Sequence, residues 1–164
     1  MKAEPQKEHH WLDRFIGDWS FEGQARMGPD QPVATFRGEE HVRSLGGLWI
    51  VAEGEGEMPG GGMATSLMTL GYDSANRHYI GTWIGSMMSY LWVYDGKLDA
   101  AERVLTLDAV GPSFGTGSGA DAKLAKYQDI TEFKEDGLRV LTSRLLTDDG
   151  TWQEFMTAQY RRRT

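Results

Sequence analysis

The stretch Trp19-Ser-Phe-Glu-Gly-Gln-Ala-Arg-Met27 alternates between two kinds of side chain. One face carries Trp19, Phe21, Ala25 and Met27, and the other carries Ser20, Glu22, Gln24 and Arg26. A period of two places successive side chains on opposite faces of a β-strand. The stretch therefore predicts a strand with one buried and one solvated face.

The residues just before this strand follow a different period. Between positions 8 and 16 the apolar side chains are Trp11, Leu12, Phe15 and Ile16. This spacing draws one stripe along a short helix, and Gly17 is a natural stop signal. We expect a single short helix at residues 8–16.

Downstream of this first strand the period of two persists to the C-terminus. Further strands are predicted at 33–45, 48–57, 65–72, 78–87, 89–94, 103–110, 124–133, 138–146 and 151–161. The predicted turns include Gly46-Gly47, Asp95-Gly96 and Asp149-Gly150, and Asp-Gly between alternating runs is a strong hairpin signal. A sheet of about ten strands would leave two unpaired edges unless it closed on itself. The sequence predicts an all-β fold, a closed antiparallel barrel forming one domain over residues 1–164.

Two glycine-rich segments interrupt the alternation, at residues 59–62 and 111–123. A connection as long as the second is often functional. Both are predicted to be loops.

The composition limits the classes of function. The chain has 21 Gly and six Trp but no Cys, which excludes disulfides, thiolate catalysis and zinc sites built on sulfur. Its net charge of −7 works against nucleic-acid binding, and the basic run Arg161-Arg162-Arg163 is interpreted as the solvated end of a strand. No signal peptide or apolar run long enough to span a membrane is recognisable. We therefore expect a cytoplasmic protein that binds neither nucleic acid nor membranes.

The sequence Gly17-Asp18-Trp19, directly after a short helix, resembles the first strand of lipocalins and other calycin barrels. That resemblance implies that Trp19 plugs one end of the barrel and packs against an arginine of the last strand. Arg161, or its neighbour Arg162, is expected to be that arginine, through a cation–π contact. Gly17, Trp19 and Arg161 are thus predicted structural residues.

A second resemblance covers nearly the whole chain. The blocks that carry it are Leu45-Gly-Gly-Leu-Trp49, Leu70-Gly-Tyr-Asp73, Tyr79-Ile-Gly-Thr-Trp83, Leu91-Trp-Val-Tyr94 and Phe155-Met-Thr-Ala158. They resemble a bacterial family of unknown function, domain of unknown function 1579. The resemblance implies a single lipocalin-like barrel, usually cytoplasmic, and it supplies no catalytic residue.

Acidic residues and a histidine suggest one candidate site. Glu40 and His41 lie on the second predicted strand, and Glu53 lies on the third, which the Gly46-Gly47 turn makes its neighbour. Glu40 shares a face with Phe36, so alternation directs Glu40 into the barrel and His41 outward. A buried carboxyl could act as a general acid or base. A bulge near Gly38 would instead leave Glu40 exposed, so both alternatives stay open.

Aromatic and methionine side chains suggest a second candidate site. Trp83 and Met87 share a face of one predicted strand, and Tyr90 and Trp92 share a face of the next. Large rings and polarisable sulfur suit an apolar ligand, although the same residues could fill a solid core or form a dimer face. The predicted ligand-binding residues are Phe36, Glu40, Trp83, Met87, Tyr90 and Trp92.

Metal and cofactor sites are not expected. The four histidines, His9, His10, His41 and His78, have none of the spacings of metal-binding motifs. Haem-binding barrels related to this fold use a histidine late in the chain, and here none follows His78.

Three hypotheses of function follow. The preferred one is a barrel that binds a small apolar or amphipathic molecule in its cavity. The second is an enzyme whose cavity uses Glu40 or Glu53, alone or together with His41 or Arg37, for proton transfer on a small molecule. The third is a self-association role, in which outward-facing aromatic residues form a homodimer.

Overall fold

The computed structural model describes residues 1–58, 61–114, 123–135 and 137–163. Most of the predicted loop at 111–123 and part of that at 59–62 lie outside these ranges. The described chain begins with helix α1, Lys7–Trp11, which continues into a 3₁₀ turn at Leu12–Phe15. Ten strands follow: β1 Gly17–Ala25, β2 Ala34–Leu45, β3 Trp49–Glu57, β4 Met63–Asp73, β5 His78–Gly85, β6 Trp92–Leu98, β7 Val104–Pro112, β8 Leu124–Phe133, β9 Leu138–Leu146 and β10 Trp152–Arg162.

The ten strands form one closed sheet. Each strand pairs antiparallel with the next along the chain, and β1 also pairs with β10. At this closing joint Trp19 lies opposite Arg162 of β10 on one side and opposite Glu40 of β2 on the other. The predicted closed antiparallel barrel of about ten strands is confirmed, and because the sheet closes, neither β1 nor β10 is left as an exposed edge.

Glycines on the inner wall accommodate aromatic rings from neighbouring strands. A Cβ added at Gly38 would lie 2.4 Å from the Phe21 ring, and one at Gly111 would lie 2.2 Å from the Trp92 ring. A carbon atom does not fit at such distances, so these rings lie directly against the backbone. The high contents of glycine and of aromatic residues are therefore two parts of one packing arrangement.

The helical segment closes one end of the barrel. Trp11, Leu12 and Phe15 are buried, and the Trp11 ring makes edge contacts with Phe15, Tyr79 and Phe133. The Trp11 indole donates a hydrogen bond to the Glu102 carbonyl at 2.7 Å. The predicted helix at 8–16 is thus split, because an α-helical turn gives way to a 3₁₀ turn before β1 begins.

Trp19 packs at the base of the barrel under two guanidinium groups. Those of Arg162 and Arg139 lie 4.4 and 4.7 Å from its ring centroid. Arg139 is itself buried and pairs with the Glu40 carboxylate. The glycine at position 17 is needed here, since its φ is 135° and an added Cβ would lie 2.5 Å from Arg162 Nη1.

The arginine that packs against Trp19 is Arg162, so the prediction of Arg161 for this role is wrong. Arg162 is the Cα partner of Trp19, so its side chain lies on the same inner face, whereas alternation turns Arg161 outward. Arg162 also donates hydrogen bonds to the carbonyls of Ile16 and Arg14. It therefore joins the last strand to the segment that closes the barrel.

The predicted turn at Asp95-Gly96 is also wrong. Strand β6 runs through both residues to Leu98. A Cβ at position 96 would lie 2.7 Å from Leu107 Cδ2 and 3.0 Å from Tyr79 Cβ. The glycine serves close packing between three strands, and the chain reverses only after Leu98.

Replacing Arg162 tests its role in closing the barrel. Arg162→Ala removes a cation–π contact and two hydrogen bonds, so we expect the free energy of unfolding to fall by about 1–2 kcal/mol. Arg161→Ala, one position away on the outer face, should change it by less than about 0.5 kcal/mol. Urea unfolding of both variants provides the measurement, and equal effects would contradict the assignment.

Candidate functional site

The end of the barrel opposite the helix is framed by aromatic side chains. Tyr127 lies at the centre of this group, with its ring centroid 5.0 Å from Trp92, 5.9 Å from Phe155 and 6.0 Å from Phe114. All these contacts are edge-to-face, the arrangement that aromatic pairs prefer. Burial raises the pKa of Tyr127 to about 12, and its hydroxyl donates to the Pro112 carbonyl. The hydroxyl is thus held as a neutral donor to the wall.

Two tryptophans at this end of the barrel, Trp83 of β5 and Trp92 of β6, pack against glycines. Trp83 and Trp92 are Cα partners on neighbouring strands. The Trp92 ring lies over Gly111, and the Trp83 ring lies over Gly85 of its own strand. Both tryptophans face inward yet are only partly buried. Both side chains also pack against the main buried cluster of the barrel.

A buried carboxyl group lies deeper in the barrel. Asp129 of β8 accepts hydrogen bonds from the Tyr94 hydroxyl and from the Ser143 hydroxyl, each at 2.6 Å and each to a different carboxylate oxygen. Ser143 lies on β9, directly opposite Asp129, and Tyr94 reaches across β7 from β6. Three strands thus converge on one polar group inside an aromatic wall.

The surroundings of Asp129 favour its neutral form. Burial raises the pKa of its carboxyl, and the hydrogen bonds from Ser143 and Tyr94 oppose part of that rise. Burial and the nearby Asp129 likewise hold the pKa of Tyr94 well above its usual value. Asp129 keeps some accessible surface. Its side chain lies on the inner face of the sheet, opposite Ser143.

The predicted ligand-binding residues are divided between the wall and the rim. Trp83 and Trp92 line the interior, whereas Phe36 is buried in a separate small cluster with Ala25 and Ala158. The placement of Met87 and Tyr90 on inward-facing strand positions is wrong, because β5 ends at Gly85 and β6 begins only at Trp92. Both lie in the connection between these strands, where Met87 is exposed.

Tyr90 nevertheless reaches the aromatic group from that connection. Its ring centroid is 5.1 Å from that of Trp92, and its hydroxyl donates to the Val110 carbonyl at 2.7 Å. Two residues earlier, the Met88 sulfur accepts a hydrogen bond from the Trp92 indole at 3.1 Å. The connection is therefore packed against the rim of the barrel.

The three candidate catalytic residues do not form one site. Glu40 points inward and pairs with Arg139. His41 and Glu53 are Cα partners on the outer face, where His41 Nδ1 lies 2.6 Å from Asp18. The strands β1, β2 and β3 pair without a bulge, so Glu40 and His41 stay on opposite sides of the sheet.

The outer face of these strands carries two shallow grooves. Their volumes are about 660 and 460 Å³, and their linings are mainly charged and polar. His41 and Glu53 lie in the smaller one. Such linings do not suit the apolar ligand that the inner wall would accept.

The structure also locates the other histidines. His9 is buried and contacts the Gln6 amide and the Tyr72 carbonyl, and His78 pairs with Asp95. Within the described ranges, no group of three or more His, Asp or Glu side chains is arranged to hold a metal ion. The same part of the chain has no helix with the length and apolarity needed to cross a bilayer.

Together these features define a closed, lipocalin-like β-barrel with a packed base and a group of aromatic side chains at its opposite end. The sequence matches the family model described as "Protein of unknown function (DUF1579)" over residues 4–162, and the chain belongs to this family. A search of curated proteins found no match.

Solved structures with the same architecture have little sequence in common with this chain. The crystal structure of Rv2717c from M. tuberculosis aligns with a TM-score of 0.67 and 11% identity, covering 98% of this chain and all of that one. The structure of EF1p2_mFAP2b bound to DFHBI aligns with a TM-score of 0.49 and 12% identity, covering 95% and 99% of the two chains. At such identities the likeness concerns the fold alone.

The raised pKa of Asp129 predicts a pH-dependent cost to stability. Above the usual aspartate value near 3.8, the folded chain still holds the Asp129 proton while the unfolded chain has released it. Stability therefore falls as the pH rises through this window. Asp129→Asn has nearly the same shape, keeps one acceptor oxygen and cannot ionise, so its stability relative to wild type should be greater at about pH 8 than at about pH 4.

Urea unfolding at both pH values measures this difference. Asp108→Asn, at an exposed position on the outer face of β7, changes the net charge equally and serves as the control. If the difference in free energy of unfolding between Asp129→Asn and Asp108→Asn were the same at both pH values, the prediction would be contradicted.

Proposed function

We propose that this protein binds a small apolar or amphipathic molecule inside its barrel, which the ligand reaches through the end opposite helix α1. The observation that carries the proposal is the partial burial of the inward-facing tryptophans Trp83 and Trp92. Because both side chains face inward, the apolar surface that they keep accessible would be available to a molecule entering this end of the barrel. Burying that surface against a ligand would release water and favour binding.

The construction of the wall supports this proposal. Trp92 lies against Gly111 and Trp83 against Gly85, so neither ring projects across the barrel. The base, in contrast, is fully packed by Leu12, Phe15 and Trp19. The difference between the two ends favours a cavity that is closed below and open above.

The polar groups inside support an amphipathic rather than a purely apolar ligand. Binding sites of this kind combine apolar walls with a few placed polar groups that fix the ligand's orientation. The Asp129 carboxyl, with the hydroxyls of Tyr94 and Ser143, supplies such groups within the aromatic wall.

The alternatives receive less support. The inward-facing Glu40 is paired with Arg139, and Glu53 and His41 lie on the outer face, so neither carboxylate is available as an unpaired base inside the barrel. The cytoplasmic location and the homodimer remain predictions.

A matched pair of substitutions on β9 tests where a ligand binds. Leu145 pairs with Tyr127 and faces inward, while Leu146 pairs with Trp152 and faces outward. Leu145→Trp should fill the upper interior and weaken the binding of the neutral dye Nile red by roughly tenfold or more. Leu146→Trp adds the same ring outside and should change the affinity less than about twofold.

Fluorescence titration measures both affinities, and thermal unfolding checks that the variants fold. Equal affinities for the two variants would place the dye on the outer surface and reject the interior site.

A further inference from the structure

The charge at Asp129 has no partner of opposite sign. None of the ion pairs in the described ranges includes Asp129. The residues outside those ranges contain no Lys, Arg or His that could supply one. Arg139, the buried cation of the barrel, is already paired with Glu40. When Asp129 ionises, its charge is compensated only by two hydroxyl groups.

The hydrogen-bonding capacity of this carboxylate is also incompletely used. A carboxylate offers about four acceptor positions. The hydroxyls of Tyr94 and Ser143 occupy one on each oxygen. Within the described ranges no other side chain donates to the remaining positions, and a charged donor that reached them would form the stronger bond.

The walls next to Asp129 suit a cation as well. Tyr127 lies two residues from Asp129 on the same face of β8, and Trp92 lies two residues from Tyr94 on β6. A step of two residues along a strand is about 6.5–7 Å, so Tyr127 is the next inward-facing side chain beside Asp129. The Trp92 ring contacts Tyr127, with centroids 5.0 Å apart. The negative faces of tryptophan and tyrosine rings attract cations, most strongly where water is excluded.

We propose that the ligand carries a positively charged nitrogen, such as a primary ammonium group, that binds Asp129 while its apolar body lies against Trp92 and Tyr127. This inference depends on the interior being the binding site. The ligand class is thus an amphipathic amine, and a carboxylate or phosphate of the same shape would be repelled.

A series of three probes of one shape separates charge from apolar contact. Naphthylmethylamine, naphthalenemethanol and naphthoate present the same ring system with a cationic, a neutral and an anionic group. Calorimetric titration of the intact protein at mildly alkaline pH should rank them in that order, with the amine roughly tenfold or more tighter than the alcohol.

Variants assign that preference to one residue. Asp129→Asn should bring the affinity for the amine to within about twofold of that for the alcohol. Asp108→Asn removes an outer carboxylate and should retain the full preference. A general attraction of cations to the negatively charged protein would instead reduce the preference equally in both variants.

The outcomes distinguish the two proposals. If the alcohol binds and the amine binds no better, or if the preference survives Asp129→Asn, the cationic ligand is rejected and the interior site stands. If none of the three probes binds wild-type protein, the interior binding site is rejected, and the proposed ligand class with it.

Discussion

The architecture depends on the joint between the first and last strands, where Trp19 packs under the guanidinium groups of Arg139 and Arg162. Arg162 holds the carbonyls of the segment before β1, and Arg139 pairs with Glu40 of β2. The Trp19 ring, near the start of the chain, therefore contacts two arginines from its last two strands. A sheet held there cannot open without exposing a buried indole and separating a buried ion pair, both of which are costly.

The two ends of the barrel are packed differently. Below, the helical segment and Trp19 fill the interior, so stability is concentrated there. Above, the aromatic side chains around Tyr127 contact one another along the wall and surround the Asp129 carboxyl. A buried carboxyl without a cation lowers stability, and such costs are typically retained where they serve a function.

Alternation was sufficient to predict the barrel and the inward direction of Glu40, because both depend on local periodicity. It failed where distant strands decide the outcome. Asp149-Gly150 is a turn while Asp95-Gly96 is part of a strand, since Gly96 must accommodate Leu107 and Tyr79. The same parity places Asp129 beside Tyr127, so the buried carboxyl could have been found. Finding its partners Tyr94 and Ser143 requires the exact register of strands β6 to β9, which alternation alone does not give.

The glycines beneath the aromatic rings have a consequence for the width of the barrel. At Gly111 or Gly85 a single added methyl group would tilt a tryptophan away from the backbone and toward the barrel axis. The backbone hydrogen bonds would be unaffected, because the contact involves only the far edge of the ring. Side chains larger than glycine at these positions would therefore narrow the barrel from within, while strand number and register stay the same.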